Sequence, residues 1–174
     1  MTDSRNVTNE FKGLPENKII EQLDERGVEL EIAIENLERD FNMGTIVRSA
    51  NAFGVRTLHV IGRRQWNKRG AMATDKYLKV RYHSSVDDFM TATAGKTVVA
   101  VDNVSESVSL SEAELPLNAV LVFGAEGPGL SDEMLSTANC IVAIEQLGST
   151  RSINVGVAAG IVMYEWLRRN RLPL

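Results

Sequence analysis

Three short stretches combine polar side chains with glycines or small residues: "NMGTIVR" at 42–48, "GAEGPG" at 124–129 and "STRSIN" at 149–154. Residues 124–129 have the outline of a phosphate loop, because their glycines follow the apolar run "LVF" and precede the helix start "SDEM". The loop carries the carboxylate of Glu126 and no lysine, however, and an acidic side chain would repel the anion that G-x-x-x-x-G-K-[ST] holds. Glycines without a cation suit a flat ligand instead, since they let the backbone come close and leave amides to recognise an adenine edge without charge.

Taken singly, each polar residue has a structural reading beside a functional one. Asn42, Ser152 and Asn154 all fit helix N-caps. Arg48 sits among Ile46, Val47, Ala50 and Phe53, where it either pairs with a surface acid or reaches a ligand. Glu126 either accepts loop amides and holds the turn or acts on a substrate. Arg151 reads as a solvated loop cation in preference to a catalytic one.

The elements that position these stretches follow a strand–helix rhythm. "ENKIIEQLDER" has the period of an amphipathic helix, and after Gly27 the alternation of Val28, Leu30, Ile32 and Ile34 predicts a half-buried strand. "NMGTIVRSANAFG" reads as a helix ending at Gly54 in the C′ position, followed by the strand "TLHVIG". A basic, poorly periodic stretch runs to Arg81. "SSVDDFMTATAG" is a helix with Ser85 and Asp88 at capping-box spacing, and "KTVVAVD" a strand. "NAVLVFG" and "CIVAIEQ" are continuously apolar strands, as in a sheet covered on both faces, with the short helix "SDEMLSTA" between them.

This order predicts an α/β fold with a mostly parallel sheet and helices on both faces. In such sheets ligands gather beyond the carboxyl ends of strands, so Gly124–Gly129 and Glu145–Asn154 are expected to share one crevice. The final helix, "SINVGVAAGIVMYEWLRRN", is apolar nearly all round from Val155 to Tyr164. It fits a central core helix or an oligomer interface, where Gly156, Ala158, Ala159 and Gly160 admit another backbone closely.

Length and composition bound the rest. A chain of 174 residues suits one domain, read as 28–174, preceded by an N-terminal arm and peripheral helix over 1–27. Cys140, the sole cysteine, lies in an apolar strand and reads as a buried, inert thiol, so no internal disulfide forms. His59 and His83 are the only histidines, and no zinc constellation or other metal site is expected. The longest apolar run, "INVGVAAGIVMY", is too short and glycine-interrupted to span a membrane, which makes a cytoplasmic setting the expectation.

The formal charge of −4 is segregated: residues 41–81 hold nine Lys/Arg and one Asp/Glu, whereas 1–40 and 82–174 each hold five and eleven. Such a block is either a solvated basic face or a polyanion surface, where counterion release drives binding.

Taken together, "NMGTIVRSANAFGV", "LVFGAEGPGLSDEML" and "IEQLGSTRSINVGVAAGIVMYEW" resemble, in order and spacing, the three motifs of the SpoU/TrmH family of SPOUT-class RNA 2′-O-ribose methyltransferases. The first follows N-x-G-x-x-x-R, the second G-x-E-G-x-G, and the third S-[LI]-N opening an apolar helix. The resemblance implies an α/β-knot (SPOUT) fold whose C-terminal part, about 120 to 160, forms a deep trefoil knot that holds S-adenosyl-L-methionine in a bent form. General topology rules would have favoured an unknotted, doubly wound sheet.

By the same resemblance, Gly124, Ile144, Leu147 and Ile153 receive the adenosine, while Glu126, Ser152 and Asn154 shape the site. Asn42 and Arg48 match the first-motif pair, with Arg48 indispensable and close to cofactor held at a homodimer interface. The implied reaction is attack of a ribose 2′-hydroxyl of tRNA or rRNA on the sulfonium methyl.

Arg63, Arg64, Lys68, Arg69, Lys76 and Lys79 would then meet RNA phosphates, with Trp66 either stacking on a base or packing inside. The third motif commonly runs I-P-M-x-G, so Glu145 and Gln146 are departures at the cofactor's edge. Two alternatives are a non-catalytic RNA-binding protein of the same fold and a nucleotide-dependent oxidoreductase, although G-x-G-x-x-G after a first strand is missing. Base methylation belongs to the wider class, but the S-I-N motif favours ribose.

Overall fold

A computed structural model describes residues 7–36, 42–125 and 127–172. Seven strands form one sheet in the order β3-β2-β1-β6-β4-β7-β5, with every pairing parallel. They are β1 (Glu31–Asn36), β2 (Thr57–Gly62), β3 (Lys79–His83), β4 (Thr97–Val101), β5 (Val108–Ser109), β6 (Ala119–Phe123) and β7 (Cys140–Ala143). The helices are α1 (Glu16–Glu25), α2 (Asn42–Ala52), α3 (Val86–Ala92), α4 (Asp132–Thr137) and α5 (Val155–Asn170). Among the described residues, no helix is long and apolar enough to cross a membrane.

Two cores sandwich the sheet. Helices α2 and α5 cover one face through Met43, Ile46, Val47, Val162, Met163 and Trp166, against Ile32, Ile34, Leu58, Val60, Leu121 and Phe123. Helices α3 and α4 cover the other through Phe89 and Met134, against Ala33, Ile61, Ala100, Val120 and Val122. Strand β6, "AVLVF", lies centrally with all five residues fully buried, as its unbroken apolar run demands. At one margin α1 packs Ile19 on Phe11 and Tyr77.

The local signals have local causes. Gly54 takes φ +81° after α2, the left-handed conformation in which glycine avoids the Cβ clash. Ser85 accepts from the Asp88 amide at 3.1 Å and Ser131 from that of Met134 at 3.1 Å, starting α3 and α4.

Four expectations need correction. Strand β1 is buried on both faces, because Ala33 is small and Glu35 is satisfied by the Ser131 amide and hydroxyl at 2.8 and 2.5 Å. Strand β7 ends at Ala143, three residues earlier than its apolar run suggests, because Ile144 and Gln146 turn away to line a cavity. The basic stretch hides an edge strand, β3, whose exposed Lys79 and Arg81 conceal its pattern and protect the open edge. Cys140 is half-buried rather than buried, and that burial pushes its thiol up.

Both histidines belong to a polar chain across the sheet face under α3. His59 Nε2 lies 2.8 Å from Glu31 Oε2 and its Nδ1 2.8 Å from His83 Nε2, and Lys96 pairs with Glu31 at 2.9 Å. Phe89 closes edge-on over both rings.

Candidate cofactor cavity and nucleic-acid face

The carboxyl ends of β4, β6 and β7 and the first turn of α5 enclose a cavity of about 190 Å³. After β6 the chain doubles back, with a bridge between Ala125 and Gly129 closed by the Gly129 amide on the Ala125 carbonyl at 3.1 Å. A Cβ on Gly124 would stand 2.3 Å from the Gly129 carbonyl carbon, so only glycine permits this fold-back. Gly127 and Gly129 take φ +103° and +75°. Glu126 lies outside the described residues.

The opposite wall follows β7. Ile144, Ser152, Ile153 and Asn154 line the cavity together with Gly124, whereas Leu147 is fully exposed and does not line it. The two departures from the third motif part company. Gln146 lines the cavity, while Glu145 turns away to accept from the Ser111 amide at 2.9 Å and from the Ser109 hydroxyl. Hydrogen bonds from Ser109 and Ser111 hold the Glu145 carboxyl at about 2.

Asn154 does two things at once. Its Oδ1 caps α5 by accepting from the Gly156 and Val157 amides at 2.9 and 3.3 Å, and its Nδ2 donates to Asn42 Oδ1 at 2.9 Å. The starts of α2 and α5 are thereby joined. Close packing explains the neighbouring glycines: a Cβ on Gly44 would stand 2.6 Å from the Ala71 amide nitrogen, and one on Gly156 3.1 Å from Thr45 Cγ2.

Arg48 is exposed, without a hydrogen-bond or ion-pair partner among the described residues, and does not line the glycine-loop cavity of its own chain. It borders a separate hollow of about 460 Å³ between α2 and residues 7–26, beside the Arg26–Glu10 ion pair. Arg151 is exposed as well, its carbonyl accepting from Asn103 Nδ2 at 3.1 Å.

All six basic residues expected on an RNA face are exposed. Lys68 and Lys79 are paired, with Asp75 at 2.7 Å and Asp24 at 2.9 Å, whereas Arg63, Arg64, Arg69 and Lys76 have no ion pair among the described residues. Trp66 packs half-buried against the core, and Lys68 stands 5.3 Å over its ring. An exposed aromatic beside these cations is Tyr82 on the edge strand, with the Arg64 guanidinium 5.5 Å from its centroid. Reading the sequence missed it, as it missed Asp102 and Asn103 on the cavity wall. The signal for those two was present, since both directly follow the strand "TVVAV".

Comparison with known proteins gives the same outline. The sequence model of the SpoU rRNA Methylase family matches residues 29–164. The tRNA (guanosine(18)-2′-O)-methyltransferase of Thermus thermophilus is 29% identical over 165 residues, covering 89% of this chain and 82% of that protein. Its Escherichia coli K12 counterpart is 24% identical, over 88% and 69%.

Among solved structures, the Aquifex aeolicus TrmH/SpoU tRNA modifying enzyme superposes with a TM-score of 0.77 at 28% identity, covering 88% of this chain and 81% of that one. The AdoMet-bound rRNA methyltransferase of Sinorhizobium meliloti gives 0.72 at 27% identity over 83% of this chain, which spans 57% of that structure's length. With the family's match running from β1 into α5 and so across both walls of the cavity, the chain belongs to the SpoU rRNA Methylase family.

Proposed function

We propose that this protein is an S-adenosyl-L-methionine-dependent methyltransferase that modifies a ribose 2′-hydroxyl of tRNA or rRNA. The observation that carries this is the cavity at the ends of β4, β6 and β7, lined by residues of both the second and the third motif. Its composition fits the cofactor: Ile144, Ile153 and Val142 offer apolar surface to a purine, and Gly124, which lines the cavity, lets the loop fold back on Gly129 to form its wall. The cofactor supplies an electrophilic sulfonium methyl. The protein's task is to hold it in line with the attacking oxygen and to help the hydroxyl lose its proton.

Arg48 serves the latter task without being a base, because guanidinium stays protonated above pH 12. It clamps the phosphate beside the target ribose and stabilises charge growing on the 2′-oxygen, leaving the proton to phosphate, water or Glu126. Because Arg48 does not line its own chain's cavity, we assign it to the site of the partner in a homodimer. The exposed apolar stripe Val157, Ile161 and Tyr164 on α5 supports such an interface, and Gly160 beside it has open space above its Cα.

Residues 28–174 form the catalytic domain in this reading, with the C-terminal part knotted as in the family, and 1–27 an arm and peripheral helix. RNA lies along the 41–81 block, and the reading places the protein's work in the cytoplasm. The test is transfer of labelled methyl from S-adenosylmethionine to separated tRNA and rRNA pools. Label in one pool supports the reading and names the substrate. No label in either, with cofactor binding intact, supports an RNA-binding protein instead.

A further inference from the structure

The two walls of the cavity are tied to the sheet by adjacent residues at the end of β4. Asp102 Oδ2 accepts from the Leu130 amide at 2.9 Å, where the glycine loop ends, and its Oδ1 accepts from the Asn103 amide at 2.7 Å. Asn103 reaches the opposite way, donating from Nδ2 to the Arg151 carbonyl at 3.1 Å, one residue before Ser152. Both side chains border the cavity themselves. The segment from Ile144 to Asn154 contains no helix or strand, and among its described residues the glycine loop shows one internal bridge, so regular structure holds little of either wall.

Gly129 fits this arrangement closely. It has φ +75°, and a Cβ there would stand 2.6 Å from Asp102 Oδ2, so the loop can approach the carboxylate only without a side chain. Glu35 secures the far end of the same loop at Ser131, and among the described residues Asp102, which lines the cavity, is the side chain that ties the loop at Leu130.

We propose that Asp102 and Asn103 are positioning residues that set the separation of the two cavity walls, so that cofactor affinity depends on them although neither takes part in the reaction. This rests on the cavity being the cofactor site. Binding to a preformed cleft saves the cost of ordering its walls, and losing an anchor returns that cost to the binding step.

The experiment is calorimetric titration of wild type, Asp102→Ala, Asp102→Asn and Asn103→Ala with S-adenosylhomocysteine, alongside steady-state kinetics and RNA binding. Asp102→Ala removes the charged acceptor of the Leu130 and Asn103 amides, which predicts a Kd about tenfold or more higher. Asp102→Asn keeps a carbonyl oxygen for the Leu130 amide, so it should stay within about threefold of wild type, and Asn103→Ala should weaken binding by about threefold to tenfold. KM for S-adenosylmethionine rises in Asp102→Ala, while kcat at saturating cofactor and RNA affinity stay within about twofold.

An Asp102→Ala affinity within twofold of wild type would overturn the proposal, and so would an Asp102→Asn defect as large as that of alanine, which would make charge the essential property. If Asp102→Ala does not fold, an unchanged affinity in Asn103→Ala overturns it. A wild type that binds no cofactor would overturn the reading of the cavity as well.

Discussion

Arg48 occupies a position where a cation has little structural reason to be. It is exposed on α2, unpaired among the described residues, and flanked by buried Ile46 and Val47. A clamp on phosphate that also meets developing negative charge explains its placement. Arg48→Ala should then lower kcat on the order of 10²–10³-fold, the usual effect of deleting a transition-state donor, with cofactor affinity unchanged by calorimetry. Arg48→Lys keeps the charge but loses the two-pronged donor, so it should recover only part of the rate. A basic limb of the pH–rate profile that disappears with Arg48 would instead make it a proton acceptor.

The helices and strands convert sequence spacing into this geometry, and some of that conversion was legible beforehand. Helix α2 announces itself by its end at Gly54 and α5 by a run apolar nearly all round, and the Asn154 cap was one of two readings the sequence left open. The pairing of Asn42 with Asn154 was not legible, because 112 residues separate two ordinary capping residues that only tertiary packing brings together. Strand β3 was hidden by its charges, and Tyr82 with it. Asp102 was indistinguishable from any other acid after a strand until the Leu130 amide arrived beside it.

The buried chain under α3 gives the elements a measurable pH response. Burial and the neighbouring His59 lower the His83 pKa, so the unfolded chain takes up a proton first and stability falls as pH drops below about 6.5. Burial pushes Glu31 up, but hydrogen bonds from His59 and Lys96 outweigh it and hold the carboxyl at about 2. Its contribution is present above about 4.5 and is lost as pH falls towards 2. Thermal denaturation should therefore show Tm decreasing in two stages on acidification, the lower stage smaller in Glu31→Gln, with Glu145 and Glu165, whose carboxyls are also held at about 2, supplying the rest.

At the scale of the molecule, the basic 41–81 block sits in an otherwise acidic chain, which concentrates attraction for RNA on one region. Replacing Arg69 and Lys76 by alanine should weaken RNA binding and flatten its salt dependence by about two counterions. An unchanged slope in filter-binding assays would remove that region from the interface. The proposed dimer makes its own prediction. Mixing inactive Arg48→Ala with an inactive cavity variant such as Ile144→Trp should restore up to about a quarter of wild-type activity, since half the dimers regain one complete site. Mixtures that stay inactive after confirmed subunit exchange would place Arg48 and the cavity of one chain in the same site.

The most direct measurement is the position of the methyl group. RNA labelled from S-adenosylmethionine by wild type and by Arg48→Ala would be digested to nucleosides and the label traced to sugar or base. The account predicts label on a ribose 2′-oxygen, abolished or nearly so in the variant. Label on a base, or ribose label undiminished without Arg48, would contradict it.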